Sequence, residues 1–92
     1  LNDYQSLASR TATSHGNELE NYGLGIASES GEVADLIKKA MLHGHTIDIG
    51  EVKKELGDVL WYLANIARIA GLTLDEVAEA NISKLQRRYP EG

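Results

Sequence analysis

The sequence contains one proline, at position 90, and apolar residues recur at steps of three and four through most of the chain before it. Such steps place side chains on one face of an α-helix, whereas a half-buried strand requires alternating apolar and polar residues. Because proline disrupts helix interiors, its absence from residues 1–89 leaves all of them free to be helical. No alternating strand pattern bounded by turn residues competes. The sequence therefore predicts an all-α fold, a four-helix, bundle-like domain.

Residues typical of helix ends divide the chain into four helices. Thr73 and Glu76 have the spacing of a capping box, and so do Asn2 and Gln5. Gly71 is placed to end the third helix. These signals predict helices over about residues 2–13, 48–70 and 73–88, and a second helix that starts between residues 17 and 22 and runs to about residue 42. Residues 13–17 are predicted as a loop, His43-Gly44-His45 as the end of the second helix and Asp48 as a cap of the third.

Length and charge restrict the classes of protein to be considered. Ninety-two residues predict one small domain over residues 1–92, with a modest buried fraction. The absence of cysteine excludes a thiolate metal site. A net charge of −5 argues against nucleic acid or an anionic membrane as a partner. No apolar run approaches the roughly 18 residues of a membrane-spanning helix, and no signal peptide is visible, so a cytoplasmic protein is expected.

The third predicted helix has an unusual distribution of apolar side chains. From Val59 to Ala70 nearly every face of the helix is apolar. A helix that is hydrophobic all round is buried all round, and a monomer of this length has too little chain to cover it. The sequence therefore predicts at least a dimer.

Four carboxylates form two pairs inside these apolar helical patterns. Glu29 and Glu32 lie three residues apart, as do Glu55 and Asp58, so each pair occupies one face of its helix. Four inward-facing carboxylates repel one another and lose hydration unless a cation meets them. Mg²⁺ is bound by carboxylate oxygens, usually together with substrate phosphates. The pairs predict metal-dependent chemistry on a phosphate compound.

Further polar residues continue the lines on which these acids lie. Tyr62 and Asn65 follow the second pair on its helix, and Lys39 follows the first. On the fourth helix, Asn81, Lys84 and Arg88 form another such line, at steps of three and four residues. If the lines converge, they form a substrate site that includes Lys39, Tyr62, Asn65, Asn81, Lys84 and Arg88.

Each of these residues also has a structural interpretation. Trp61 and Tyr62 are expected in the core or an interface more than against a nucleobase. Asn65 and Asn81 are equally well read as structural amides. Cations near the end of the last helix complement its dipole, and Asp35 is expected to pair with Lys38 or Lys39. The glycine inside each acid pair, Gly31 or Gly57, costs helix stability and suggests close backbone approach, and the three histidines are expected in loops.

The spacing of the acids has a known counterpart. Glu29-x-x-Glu32, a spacer of 22 residues and Glu55-x-x-Asp58 together resemble the signature of the MazG-like nucleotide pyrophosphohydrolases. The flanking segments 24–33 and 55–64 are similar as well, and so is the tail 81–90. The resemblance extends over about residues 22–90 and is weak before that.

The resemblance implies an all-α enzyme that assembles as a dimer or a dimer of dimers. It implies Mg²⁺, with Mn²⁺ as an alternative, held by the four acids as catalytic metal ligands. Such enzymes hydrolyse nucleoside triphosphates between the α and β phosphates, giving the monophosphate and pyrophosphate. By residue matching, Asn81, Lys84 and Arg87 or Arg88 hold the phosphates. Two alternatives remain: a phosphoribosyl-ATP pyrophosphohydrolase, and a non-catalytic helical module for oligomerisation or binding.

Overall fold

The computed structural model describes residues 1–12, 18–42 and 46–92, and within them the chain forms four helices and no strand. These are α1 (Asn2–Ser9), α2 (Glu18–Leu42), α3 (Ile49–Ile69) and α4 (Leu74–Arg88). The all-α prediction is confirmed, and the bounds of α2, α3 and α4 lie close to those predicted. The first helix ends earlier than predicted. The predicted loop 13–17, which contains His15, and the predicted helix end at residues 43–45 lie outside the described residues.

Local signals set the ends of the last two helices. The Thr73 hydroxyl accepts from the Glu76 backbone N–H at 3.1 Å, and the Glu76 carboxylate accepts from the Thr73 N–H at 3.0 Å, which completes the predicted capping box. Asp48 accepts from the Glu51 N–H at 3.2 Å. Gly71 adopts a φ of 78°, a conformation that glycine tolerates and that ends the preceding helix.

The predicted capping box at the start of the chain is wrong. The Asn2 side chain accepts from the Asp75 N–H at 3.0 Å, and the Gln5 side chain accepts from the Leu74 N–H at 3.1 Å. Both residues therefore satisfy the first turn of α4 and not that of α1, which has no side-chain cap. Gln5 also donates to the carbonyls of Ala64 and Leu72. These bonds fasten α1 to the connection between α3 and α4.

The buried core is small and lies where α1, α3 and α4 meet. Its buried residues are three alanines and one leucine: Ala8, Ala64, Ala67 and Leu74. The partly buried side chains of Tyr4, Trp61 and Val77 pack against them. Helix α2 packs along α3, and the two run antiparallel, because residues near 22 on α2 face residues near 61 on α3, and residues near 32 face residues near 55. This pairing positions the two carboxylate pairs side by side.

Helix α4 extends away from the rest of the chain. It contacts α1 and α3, and within the described residues it does not contact α2. Ile82 on this helix and Tyr89 directly after it are 54% and 63% exposed. The radius of gyration is 15.7 Å, whereas a compact domain of this length has about 12 Å. A single chain therefore leaves much apolar surface uncovered.

None of the described helices combines the length and the hydropathy that crossing a bilayer requires.

Candidate active site

Three carboxylates from two helices meet at one point between α2 and α3. Glu29 and Glu32 lie one turn apart on α2, and Glu55 reaches them from α3. One oxygen from each lies within 4.8 Å of the others. These three residues, here called the acid cluster, range from exposed at Glu32 to buried at Glu55. The predicted convergence of the two acid pairs is thus seen for three of the four residues.

The three carboxylates of the acid cluster lie close enough to repel one another. Glu29 Oε2 and Glu55 Oε2 are buried and have no hydrogen-bond donor within the described part of the chain. If Glu55 takes up a proton, it can donate to a neighbouring carboxylate. Hydrogen bonds with Glu32 and Glu29, followed by burial and repulsion from the same two acids, raise the pKa of Glu55 to about 7. A positive charge at this point would remove that penalty.

The donor set fits a hard divalent cation. All three side chains offer carboxylate oxygen, the ligand that Mg²⁺ prefers. Oxygens that lie within 4.8 Å of one another would have to move closer together to bind one ion through bonds of about 2.1 Å. The orphaned oxygens of Glu29 and Glu55 would gain a partner, so the residues present fit the metal.

Asp58, the fourth predicted ligand, lies outside the acid cluster. It is half-buried and, together with Glu29, lines a cavity of about 390 Å³ beside the cluster. Asp58 also affects a residue of α1, because burial and the negative charge of the Asp58 carboxylate together raise the pKa of Tyr4. Asp58 therefore faces the cavity from one side, next to the position where a cation would lie.

The other walls of this cavity, here called the site cavity, are aromatic and polar. Trp61 and Tyr62 line it from α3, and Thr11 lines it from the residues after α1. The predicted substrate contact Tyr62 is thus placed beside the acids, although its contact with substrate stays a prediction. Thr11 is not among the residues predicted from the sequence. No local pattern marks it, because it reaches the site through packing of α1 on α3.

Comparison with known proteins agrees with this architecture. Residues 17–92 match the family model described as the MazG nucleotide pyrophosphohydrolase domain. The chain belongs to the MazG family. It is also 33% identical over 100 aligned positions to the Gene 37 protein of Mycobacterium phage L5, an alignment that covers 97% of this chain and 88% of that protein. No solved structure matches.

The acid cluster and Asp58 all lie within the part of the chain that matches the MazG family. Helix α1 and Thr11 lie before it. One wall of the site cavity is therefore supplied by a segment outside the matched domain.

Glycine has a steric role in this MazG domain at a position that the sequence analysis did not single out. A Cβ at Gly25 would overlap the ring of Tyr62, so glycine is required for that ring to lie against α2. At Gly31 and Gly57, by contrast, an added Cβ would meet nothing within 4 Å in the described chain. The prediction of close backbone approach at those two glycines is wrong for the single chain.

Asn65 is 1% exposed, and its amide is already in use. It donates to the Trp61 carbonyl at 3.1 Å and accepts from Arg68 Nε at 3.2 Å. Arg68 in turn pairs with Glu18 on α2 at 3.4 Å. These bonds support the interpretation of Asn65 as a structural amide that links α3 to α2, while its contact with substrate stays a prediction.

The predicted cationic contacts do not approach the acid cluster within one chain. Lys39 is exposed and pairs with Asp35 at 3.0 Å, as the structural interpretation expected. The three predicted contacts on α4 are exposed and belong to a helix that does not touch α2 in the described residues: Asn81, Lys84 and Arg88. Their contact with substrate stays a prediction, and the packing of α4 within a single chain does not bring them to the acid cluster.

Proposed function

We propose that this protein hydrolyses nucleoside triphosphates, ribo- or deoxyribo-, between the α and β phosphates. The products are the nucleoside monophosphate and pyrophosphate. Glu29, Glu32 and Glu55 would hold Mg²⁺, with Mn²⁺ as an alternative, and Asp58 would act beside them. The cytoplasmic location also stays a prediction.

One observation carries this proposal. In a chain of the MazG family, three carboxylates meet and two of them bury an oxygen with no donor among the described residues. Burying ionised oxygens without partners is unfavourable, so the arrangement is explained if a cation occupies it during function. A cavity of about 390 Å³ beside the cluster offers room for substrate.

The reaction adds water across the α–β anhydride. The water oxygen bonds to phosphorus, the bridging P–O bond breaks, and the water gives up a proton. A divalent cation in such a site supplies positive charge that stabilises the phosphate oxygens. Asp58 faces the cavity from outside the acid cluster, so it is the acid best placed to accept the proton. Tyr62, which also lines the cavity, would orient the substrate.

We propose further that the active form is a homodimer or a dimer of dimers, with α4 of one subunit serving the site of another. Within the described chain α4 does not reach α2, yet it has cations along one line. Apolar side chains exposed on α4, which include Ile82 and Leu85, would be buried if another subunit packed against them. A two-fold symmetric dimer is the commonest assembly among soluble homo-oligomers. Lys84 and Arg88 would then hold phosphates at the partner's acid cluster.

A screen of ribo- and deoxyribonucleoside triphosphates, with pyrophosphate detection, tests the activity. We expect release of pyrophosphate with Mg²⁺ or Mn²⁺, and none after addition of a chelator. Phosphoribosyl-ATP belongs in the same screen, because hydrolysis of that compound in preference to the triphosphates would favour the alternative enzyme.

A metal titration separates the enzyme from a non-catalytic module. Calorimetry with Mn²⁺ should show saturable binding that Glu55→Gln weakens and Glu51→Gln leaves unchanged, since Glu51 is exposed and lies outside the acid cluster. If no triphosphate is cleaved and no saturable binding is seen, the module is the better description.

Sedimentation velocity tests the assembly. At micromolar concentration we expect a dimer or a larger species, and Ile82→Asp should shift it towards monomer by placing a charge on the exposed apolar line of α4. Glu79→Asp, on the same helix, is the matched control. A compact monomer of the unaltered chain would contradict the proposal.

A further inference from the structure

The site cavity is lined by two chemically distinct kinds of group. Glu29 and Asp58 contribute carboxylates, and Trp61 and Tyr62 contribute aromatic rings. A nucleotide has the same two parts, an anionic phosphate chain that follows a cation and a flat base that stacks on aromatic surfaces. The cavity is therefore suited to hold both ends of one nucleotide, with the base against α3.

The aromatic rings that line the cavity pack against each other and against Tyr22. Tyr22 meets Trp61 and Tyr62 edge-on, with ring centroids 5.5 and 6.1 Å apart, and Trp61 meets Tyr62 at 5.1 Å and 87°. Aromatic rings favour this geometry. Tyr22 is buried beneath the other two, whereas Trp61 and Tyr62 are only half-buried. The rings at the surface are thus supported from below and keep area open to the cavity.

Thr11 attaches one of these rings to the core. Its hydroxyl accepts from Trp61 Nε1 at 2.8 Å and donates to the Ala8 carbonyl at 3.0 Å. Ala8 is a buried residue of the core formed by α1, α3 and α4. The indole is therefore fixed at its polar edge by a residue that also lines the cavity. Thr11 precedes residues 17–92, so this attachment is added to the matched domain from outside it.

We propose that Thr11 is a positioning residue that holds Trp61 as the wall of the site against which the nucleobase of the substrate stacks. The proposal rests on the proposed nucleotide function. It changes the interpretation of Trp61, which the sequence alone places in the core or an interface. The Thr11 hydroxyl satisfies the one polar atom of the indole, so the ring keeps its orientation and presents its face to the base. Without that bond the ring would lose its fixed orientation, and the base would lose its stacking surface.

Thr11→Val tests the role of the hydroxyl, because valine keeps the shape of threonine and removes the hydrogen bond. We expect KM for nucleoside triphosphates to rise at least fivefold while kcat changes less than twofold, since the base lies away from the reacting phosphates. Thr11→Ser keeps the hydroxyl and should restore KM. Ser9→Ala is the matched control, because the Ser9 hydroxyl bonds only the Ser6 carbonyl of its own helix among the described residues and does not line the site cavity. An unchanged KM in Thr11→Val would overturn the proposal.

Inorganic tripolyphosphate, which has no base, separates positioning from general damage to the fold. Its inhibition constant should be the same for Thr11→Val and the unaltered protein. If tripolyphosphate inhibition weakens as much as nucleotide binding does, Thr11 has only a structural role and the proposal fails. Trp61→Phe, which removes the indole N–H, should raise KM similarly, and adding Thr11→Val to it should cause little further change.

Fluorescence gives a readout that does not depend on turnover. The chain contains one tryptophan, so its emission reports on Trp61 alone. With Ca²⁺ in place of Mg²⁺, nucleoside triphosphates should quench the emission saturably, and tripolyphosphate should not. Quenching without pyrophosphate release under Mg²⁺ would contradict the proposed activity and support stacking of the base on Trp61. Pyrophosphate release without quenching would overturn the stacking on Trp61 and support the proposed activity.

Discussion

The acid cluster and the two cations of α4, Lys84 and Arg88, come from the same kind of sequence pattern, but the structure gives them different surroundings. Both consist of polar residues at helical spacing. Glu29, Glu32 and Glu55 meet within 4.8 Å because α2 lies against α3 along their lengths. Lys84 and Arg88 meet no acid cluster in their own chain, because α4 leaves the bundle after its first turns. Periodicity identifies a face, and the neighbour of that face depends on how the helices pack.

The difference also shows in burial. Glu55 is buried, and one of its oxygens has no hydrogen-bond partner among the described residues, while all three predicted contacts on α4 are exposed. A site made by two helices of one chain is already formed before substrate arrives. A site that needs α4 exists only if another subunit brings that helix.

The largest effect is expected at the acid cluster. Glu32→Gln removes a charged ligand without changing shape and should lower the rate of pyrophosphate release at least a hundredfold, which is about 2.7 kcal/mol. Mn²⁺ affinity should fall in parallel, as calorimetry can show. Asp58→Asn should also lower the rate but weaken Mn²⁺ less, because Asp58 lies outside the three oxygens that meet.

Glu51→Gln on α3 is the control for these acid variants. Its side chain is exposed and is not one of the acids that meet, so both readouts should stay unchanged. Retention of most activity by Glu32→Gln would remove the acid cluster from the mechanism.

The contact between α2 and α3 that brings the acids together depends on Gly25. Gly25→Ala places a methyl group in the ring of Tyr62 and should destabilise the fold by about 1–3 kcal/mol, the usual cost of overpacking. Gly23→Ala lies on the same helix, and in the described part of the chain its added Cβ would meet nothing within 4 Å, so it should stabilise the fold by up to about 1 kcal/mol. Urea denaturation at equal protein concentration measures both.

Equal effects of the two alanines would contradict the close contact seen between Gly25 and Tyr62. As a further check, Tyr62→Ala should relieve the cost of Gly25→Ala, since the overlapping ring is then absent.

The role of α4 is tested by Lys84→Ala. We expect kcat/KM to fall at least tenfold, about 1.4 kcal/mol, with little change in thermal stability without substrate. A lysine that only complements the helix dipole would give the reverse, a small loss of stability with unchanged kinetics.

Mixing two impaired variants shows whether Lys84 acts in the site of its own subunit or in the site of the partner subunit. In a mixed dimer of Glu32→Gln and Lys84→Ala chains, one site regains both groups only if Lys84 acts across the interface. Random pairing gives half mixed dimers with one intact site each, so about a quarter of full activity should return. Absence of recovery, with subunit exchange shown by sedimentation, would place Lys84 within its own chain or outside the site.

The smallest effect is a pH dependence of stability without metal. The pKa of Glu55 is raised from its usual 4.5 to about 7 in the folded protein. Below pH 4.5 the group is protonated in both states. As the pH rises towards 7, the unfolded chain releases the proton first, so the free energy of unfolding should fall across this window.

Urea denaturation in chelator at pH 5 and pH 8 measures this, and the change should be smaller in Glu55→Gln, which has no proton to lose there. Saturating Mg²⁺ should reduce or reverse the fall, because a cation binds the ionised form. An equal pH dependence in Glu55→Gln would show that other groups cause it.

Much of this protein can be read from residues that are close in the chain. Helix formation, the box of Thr73 and Glu76 and the stop at Gly71 depend on hydrogen bonds and dihedral angles within a few residues. The pairs Glu29–Glu32 and Glu55–Asp58 are visible for the same reason, since i, i+3 spacing places both side chains on one face. Their position inside apolar patterns was enough to predict a cation site.

What could not be read depends on contacts between distant segments. Asn2 and Gln5 have the spacing of a local cap, but they bond the first turn of α4. Thr11 reaches Trp61 across 50 positions of chain. Gly25 needs its missing Cβ because of a ring on another helix. Local spacing leaves several partners open to a polar or small residue, and the packing of whole helices selects one because it buries the most apolar surface while leaving the fewest polar groups unpaired.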